Sequence, residues 1–164
     1  MRFIIITLRK GLKNVKKINK IFALGDSLIN GYGLKEEETW RYLLSESLGI
    51  EIVNASVNGS TSLDGIKRLN QHQKDIKESE LVIMNFGIND VFIDQDKNGF
   101  VSYDEHIKHM KYLIEYFQDK KIIIISVHHI IAEKDKEYFY ARHDYKQYLE
   151  SSPNHSLKIY NEKL

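Results

Sequence analysis

Ile21-Phe22-Ala23-Leu24-Gly25-Asp26-Ser27-Leu28 runs four apolar residues straight into a glycine turn that carries an aspartate and a serine. A short apolar run closed by a turn signal reads as a buried strand. The same arrangement returns twice. Ile50 to Val53 leads into Asn54-Ala55-Ser56-Val57-Asn58-Gly59-Ser60-Thr61-Ser62, and Leu81-Val82-Ile83-Met84 passes through Phe86 into Gly87-Ile88-Asn89-Asp90. A fourth strand is read over Ile122 to Val127. Between these runs the apolar spacing turns helical. Thr39 to Leu48 has Trp40, Leu43, Leu44 and Leu48 at helical intervals, with Gly49 placed as a C-cap. Leu63 to Ile76 carries Ile66, Leu69 and Ile76 on one face. A third helix follows a Ser102/Glu105 capping box and reaches about Gln118, with Ile107, Met110, Leu113, Ile114 and Phe117 as its buried stripe.

Short strands alternating with helices predict an α/β domain with a mostly parallel sheet. In such a sheet the strand ends share one edge, and ligands bind there. The three polar turns are therefore expected to meet. Beyond Val127 the pattern weakens: Glu133 to Glu150 is charged, tyrosine-rich and read as helical, Pro153 breaks it, and Ile159 to Leu164 begins another helix.

Composition narrows the function classes. With 164 residues the chain is one domain by length, and 42% hydrophobic with 29% charged residues is ordinary for a globular protein. A net charge of +1 gives no footing for nucleic acid or an anionic membrane. The absence of cysteine excludes disulfides and thiolate metal sites. Phe3-Ile4-Ile5-Ile6 is too short for a signal-peptide core or a membrane span, and basic residues follow it rather than precede it. Residues 1–19 are read as a basic extension outside a domain of residues 20–164, and a cytoplasmic location is expected.

A serine between a strand and a helix N-terminus is exposed, and the helix dipole favours negative charge beside it. An asparagine at a strand end can donate its amide to an oxyanion, as can a glycine backbone N–H. Taken singly, each turn is as well explained by turn chemistry, since Gly, Asn and Ser favour turns and caps anyway. Their order is more specific. Gly25-Asp26-Ser27-Leu28, the Gly59 turn and Gly87-Ile88-Asn89-Asp90 resemble the first three sequence blocks of the SGNH (GDSL-type) hydrolases. The surrounding residues are similar to the branch of arylesterases and lysophospholipase/thioesterase-I-type enzymes, and the resemblance runs from about Ile21 to Val127.

The resemblance implies a three-layer α/β/α fold with a flavodoxin-like parallel sheet in the strand order 2-1-3-4-5. It implies Ser27 as the nucleophile on an ester or thioester carbonyl, with the Ser27 N–H, the Gly59 N–H and the Asn89 side chain as the oxyanion hole. Asp26 and Asp90 are assigned to turn geometry. Tyr32 and Phe92 are candidates for lining an acyl-binding surface. The expected substrate is a small acyl ester, and no cofactor is required.

The family's fourth block is an Asp-x-x-His segment that supplies the general base and its orienting carboxylate. No Asp-x-x-His occurs in this sequence. The expectation is a member lacking the fifth strand and last helix. The fourth strand would then be an apolar edge open to self-association. A catalytically inactive relic, or an acyl- or carbohydrate-binding module, is the alternative reading. His128 and His129 follow the fourth strand, two positions from the first, or ~9.5 Å at ordinary strand spacing. His72, His106, His109, His143 and His155 are read as solvated surface residues.

Residues 94–105 carry a second motif. Asp94, Asp96, Asn98, Gly99 and Glu105 fit the D-x-[DN]-x-[DN]-G-x5-E calcium loop, with the Phe100 carbonyl as a further oxygen. Ser102 and Glu105 are already explained as a capping box. A solvated loop is therefore the favoured reading and a calcium site the alternative.

Overall fold

The computed structural model describes residues 18–90 and 101–126. The N-terminal extension up to residue 17, Phe92, the calcium motif up to Phe100, the helices read beyond Glu133, and His128, His129, His143 and His155 lie outside the described residues.

Four parallel strands form one sheet: β1 (Lys20–Gly25), β2 (Glu51–Asn54), β3 (Leu81–Asn85) and β4 (Lys121–Ile124), in the order β2-β1-β3-β4. Side chains alternate across a strand, so each central strand supplies two cores. Phe22, Leu24, Val82 and Met84 face one cluster with Leu69, Ile76, Phe86, Met110, Leu113 and Phe117. Ile21, Ala23, Leu81 and Ile83 face the other, with Ile29 and Ile50, against which Trp40 and Leu44 pack. Helices thus cover both faces of the sheet, in the three-layer α/β/α arrangement of the SGNH hydrolase fold. Burial on both faces explains why β1 and β3 read as unbroken apolar runs. The registers Leu24↔Met84 and Gly25↔Asn85 bring the ends of β1 and β3 level at one edge.

The helices are α1 (Ser27–Asn30), α2 (Trp40–Leu48), α3 (Ser62–Arg68), α4 (Gln73–Glu78) and α5 (Tyr103–Tyr116). Thr39 caps α2 by accepting from the Tyr42 N–H, and Gly49 closes it in the left-handed conformation at φ 61°. The Ser102/Glu105 capping box opens α5, with the Glu105 carboxylate accepting from both the Ser102 N–H and its hydroxyl. Among the described residues no helix is long and apolar enough to cross a membrane.

Two sequence expectations change. Leu63 to Ile76 is not one helix: α3 ends at Arg68, a 3-10 turn spans Leu69–His72, and α4 follows. The turn brings the His72 ring onto Phe22, with ring centroids 5.6 Å apart. Gln73 Nε2 donates to the Leu69 carbonyl, replacing part of the lost helical bonding. On α5 the buried stripe is His106, Met110, Leu113 and Phe117, whereas Ile114 is 40% exposed. A histidine takes the place of an apolar residue there because Asp90 meets it inside the protein.

Candidate active site

The turn after β1 is tight because Gly25 lacks a side chain. A Cβ there would stand 2.6 Å from Ile29 Cγ1 and 2.8 Å from the Asn85 carbonyl oxygen. Asp26 then caps α1, its carboxylate accepting the Leu28 N–H at 2.8 Å. Ser27 is consequently the first residue inside the helix, half-buried, and among the described residues its hydroxyl has no side-chain partner. The far end of this four-residue helix is held as firmly. Trp40 Nε1 and Arg41 Nε both donate to the Ile29 carbonyl, at 3.1 and 3.3 Å, and Arg41 Nη2 donates to the Asn30 carbonyl at 3.0 Å. Helix-end carbonyls without intrahelical partners are satisfied in this way.

The segment after β2 folds back over the same turn. The Val57 N–H donates to the Gly25 carbonyl at 3.1 Å. Asn54 donates to the Asn30 side-chain oxygen and Asn30 to that of Asn58, both at 2.8 Å. Gly59 is exposed and sits at φ 79°, a left-handed conformation that favours glycine, although a Cβ there would meet only open space. From the third turn, Asn89 Nδ2 donates to the Ser60 carbonyl at 2.9 Å and to Asp26 Oδ2 at 3.3 Å. One amide therefore touches both the serine turn and the glycine loop, and Ser27, Gly59 and Asn89 belong to three segments that meet at one sheet edge. Tyr32 lies just beyond α1 and is 76% exposed, with Leu28 at 52% and Val57 at 50% near the same turn. Of the calcium motif, Glu105 is described, and its carboxylate is engaged by Ser102. Among the described residues no three acidic or histidine side chains cluster to hold a metal.

Beneath these turns lies a polar hub that the sequence reading did not find. Asp90 is fully buried and accepts the Ser62 N–H at 3.1 and 3.2 Å on its two oxygens, as well as the Ser62 hydroxyl. His106 Nδ1 lies 3.2 Å from Asp90 Oδ1, and His109 Nδ1 lies 2.9 Å from the Ser62 hydroxyl. His106 is not a surface residue but fully buried. Its position one helical turn before Met110, on the Met110–Leu113–Phe117 face, is the signal that could have revealed it.

Burial pushes the Asp26 carboxyl up to about 6, with the neighbouring Asp90 charge adding to the rise and the Leu28 N–H opposing it. The folded protein therefore binds the Asp26 proton more tightly than the unfolded chain does. That contribution is present below about pH 4 and is lost as pH rises through 6. The interval between 3.8 and about 6 corresponds to roughly 3 kcal/mol. Asp64, Asp75, Glu78, Glu80 and Glu105 are shifted downward and contribute in the opposite direction, so the informative quantity is a difference. In urea titrations from pH 4 to 7, Asp26→Asn is expected to remove a pH-dependent loss of that order relative to wild type. Parallel stability profiles for the two proteins would contradict the assignment.

Residues 23–154 match the family described as GDSL-like lipase/acylhydrolase. An arylesterase of Vibrio mimicus is 36% identical over 76 residues, covering 43% of this chain and 38% of that protein. The chain thus matches well under half the length of this relative. Among solved structures, AlinE4, an SGNH-hydrolase family esterase, is 30% identical with a TM-score of 0.52, over 68% of this chain and 59% of that one. The psychrotrophic esterase EstA from Pseudoalteromonas sp. shares the fold, with 24% identity and a TM-score of 0.56, over 88% of this chain and 73% of that one.

Proposed function

The chain belongs to the GDSL-like lipase/acylhydrolase family, and from that premise we propose that it cleaves small carboxylic esters, thioesters or lysophospholipids by acyl transfer through Ser27. The observation that carries this reading is the Asn89 amide, held between the Asp26 carboxylate and the Ser60 carbonyl. A side-chain donor bonded to the serine turn supports the reading, because an oxyanion formed at Ser27 needs such a donor. The hydrolase domain is taken as residues 20–164, with residues 1–19 as a basic extension.

In this reading the Ser27 hydroxyl oxygen attacks the substrate carbonyl carbon while its proton passes to a base. The negative charge that develops on the carbonyl oxygen is met by the Ser27 N–H, the Gly59 N–H and the Asn89 amide. Collapse of the tetrahedral intermediate expels the alcohol or thiol with a proton, and water then hydrolyses the acyl-serine. A side-chain amide has two hydrogens, and both are committed, to Asp26 and to the Ser60 carbonyl. The longer bond, 3.3 Å to Asp26, is the one an oxyanion would replace. The exposed Leu28, Tyr32 and Val57 offer an apolar surface to a short acyl group.

The described histidines are held elsewhere. His72 packs on Phe22, His106 meets Asp90, and His109 meets Ser62. The proton acceptor is therefore sought among His128, His129, His143 and His155. The good p-nitrophenolate leaving group speeds acylation but not hydrolysis of the acyl-serine, so with p-nitrophenyl acetate an acyl-enzyme should accumulate. Acid-quenching the protein after mixing with p-nitrophenyl acetate, followed by peptide mass analysis, is expected to find the acetyl group on the peptide containing Ser27. Acetylation confined to lysines would favour the binding-module reading.

A further inference from the structure

We propose that Arg68, the last residue of α3, is a positioning residue that fixes the loop carrying Gly59 against the turn carrying Ser27. Its guanidinium reaches two acceptors on different segments. Nη2 donates to the Gly25 carbonyl at 3.1 Å, and Nη1 donates to the Ser60 hydroxyl at 2.7 Å. Gly25 stands two residues before Ser27, and Ser60 directly follows Gly59. One side chain therefore spans the segment supplying the nucleophile and the segment supplying a backbone oxyanion donor.

The rest of the local bonding leaves this clamp a defined task. The Gly25 carbonyl also accepts the Val57 N–H, and Asn30 holds Asn58, so the loop is tied on the side preceding Gly59. On the following side Ser60 is tied by Arg68 at its hydroxyl, by Asn89 at its carbonyl and by its own N–H to the Val57 carbonyl, and Ser62 is anchored to Asp90. Gly59 itself has no side chain to hold it and sits at φ 79°. Without Arg68, Ser60 would keep one bond to another element among the described residues, that from Asn89, whose amide the proposed oxyanion also needs.

The choice of residue is informative. A planar fork can serve two acceptors at once, whereas a lysine ammonium is a single point charge on a flexible stem. Arg68 is also partly buried, its Nε is buried without a partner among the described residues, and the Asp64 charge nearby is committed to the Thr61 capping box. Burying an incompletely paired cation is costly, so simple packing would be better served by an apolar side chain. Arg68 also lines a cleft of about 320 Å³ together with Asn58, Gly59 and Ser60.

The catalytic consequence rests on the Ser27 reading; the clamp itself does not. Two measurements on the full chain separate them. In Arg68→Gln, kcat for p-nitrophenyl acetate is expected to fall about 100-fold with KM nearly unchanged. Arg68→Lys should recover part of that loss, because its ammonium can still donate to one of the two acceptors. Hydrogen exchange by NMR should show the Ser60 amide, which donates to the Val57 carbonyl, exchanging at least about tenfold faster in Arg68→Gln, while Val82 to Met84 keep their protection. Unchanged exchange at Ser60, or an equal rise throughout β3, would overturn the clamp. A rise in KM with kcat intact would overturn its positioning role. An inactive wild type would sink the esterase reading alone, and exchange would still decide the clamp. If Arg68→Gln does not fold, Arg68→Lys is used instead, with a smaller fall in kcat and a smaller rise in Ser60 exchange expected, since it keeps one donor and loses the fork.

Discussion

Ser27→Ala is expected to bring hydrolysis of p-nitrophenyl acetate down to the rate seen without protein, and Asn89→Ala to lower kcat by ~10²–10³ with little change in KM. The two losses have different origins. Ser27 sits first in α1 with its hydroxyl uncommitted among the described residues, so alanine removes the attacking atom while Asp26 still caps the helix. Asn89 contributes a donor whose value appears only when the carbonyl oxygen becomes negative. An interaction made only in the transition state is read in kcat. Because the two act in one step, Ser27→Ala/Asn89→Ala should be no worse than Ser27→Ala alone. Equal rates for wild type and Ser27→Ala would mean that the oxyanion site and binding account for whatever turnover is seen. The serine would then have no covalent role.

The strands were legible because β1 and β3 are buried on both faces, which leaves apolar runs too plain to misread, whereas their order followed from the family resemblance of the three turns. The C-cap of α2 and the capping box of α5 were legible for a local reason: Gly49, Ser102 and Glu105 act within three or four positions of the backbone they satisfy. The parts missed are those whose partners lie far off in sequence. Asp26 meets Asn89 63 positions away, Arg68 meets the Gly25 carbonyl 43 away, and Ser62 meets Asp90 28 away. A polar residue on a helix reads as solvent-facing unless its partner is known, so His106 was placed outside and Ile114 inside, the reverse of their burial. Likewise, no periodicity announces the break at Leu69–His72, which depends on the His72 ring finding Phe22.

The largest loss of stability should come from Asp90→Ala, which is expected to cost about 3–5 kcal/mol in urea unfolding. The carboxylate is fully buried and serves three groups: the Ser62 N–H, the Ser62 hydroxyl and His106. Alanine leaves the Ser62 N–H at the start of α3 without its acceptor, away from water. An orphaned buried donor costs more than the bond itself contributed. Small domains have only about 5–15 kcal/mol in total, so a large part of the stability is at stake. Asp90→Asn should lose much less, because its oxygen can still accept from Ser62 while its amide donates toward the His106 ring. The order Asp90→Ala far below Asp90→Asn separates loss of hydrogen bonding from loss of charge. If both variants fell equally, the charge itself would be what holds α3 to α5. The same substitution has a functional reading, since Asp90 adjoins Asn89 and Ser62 lies two residues past Ser60. The hub that stabilises the fold is thus also the floor on which the proposed oxyanion donors rest, and Asp90→Asn, which preserves that floor, should keep the proposed hydrolytic activity that Asn89→Ala would lose.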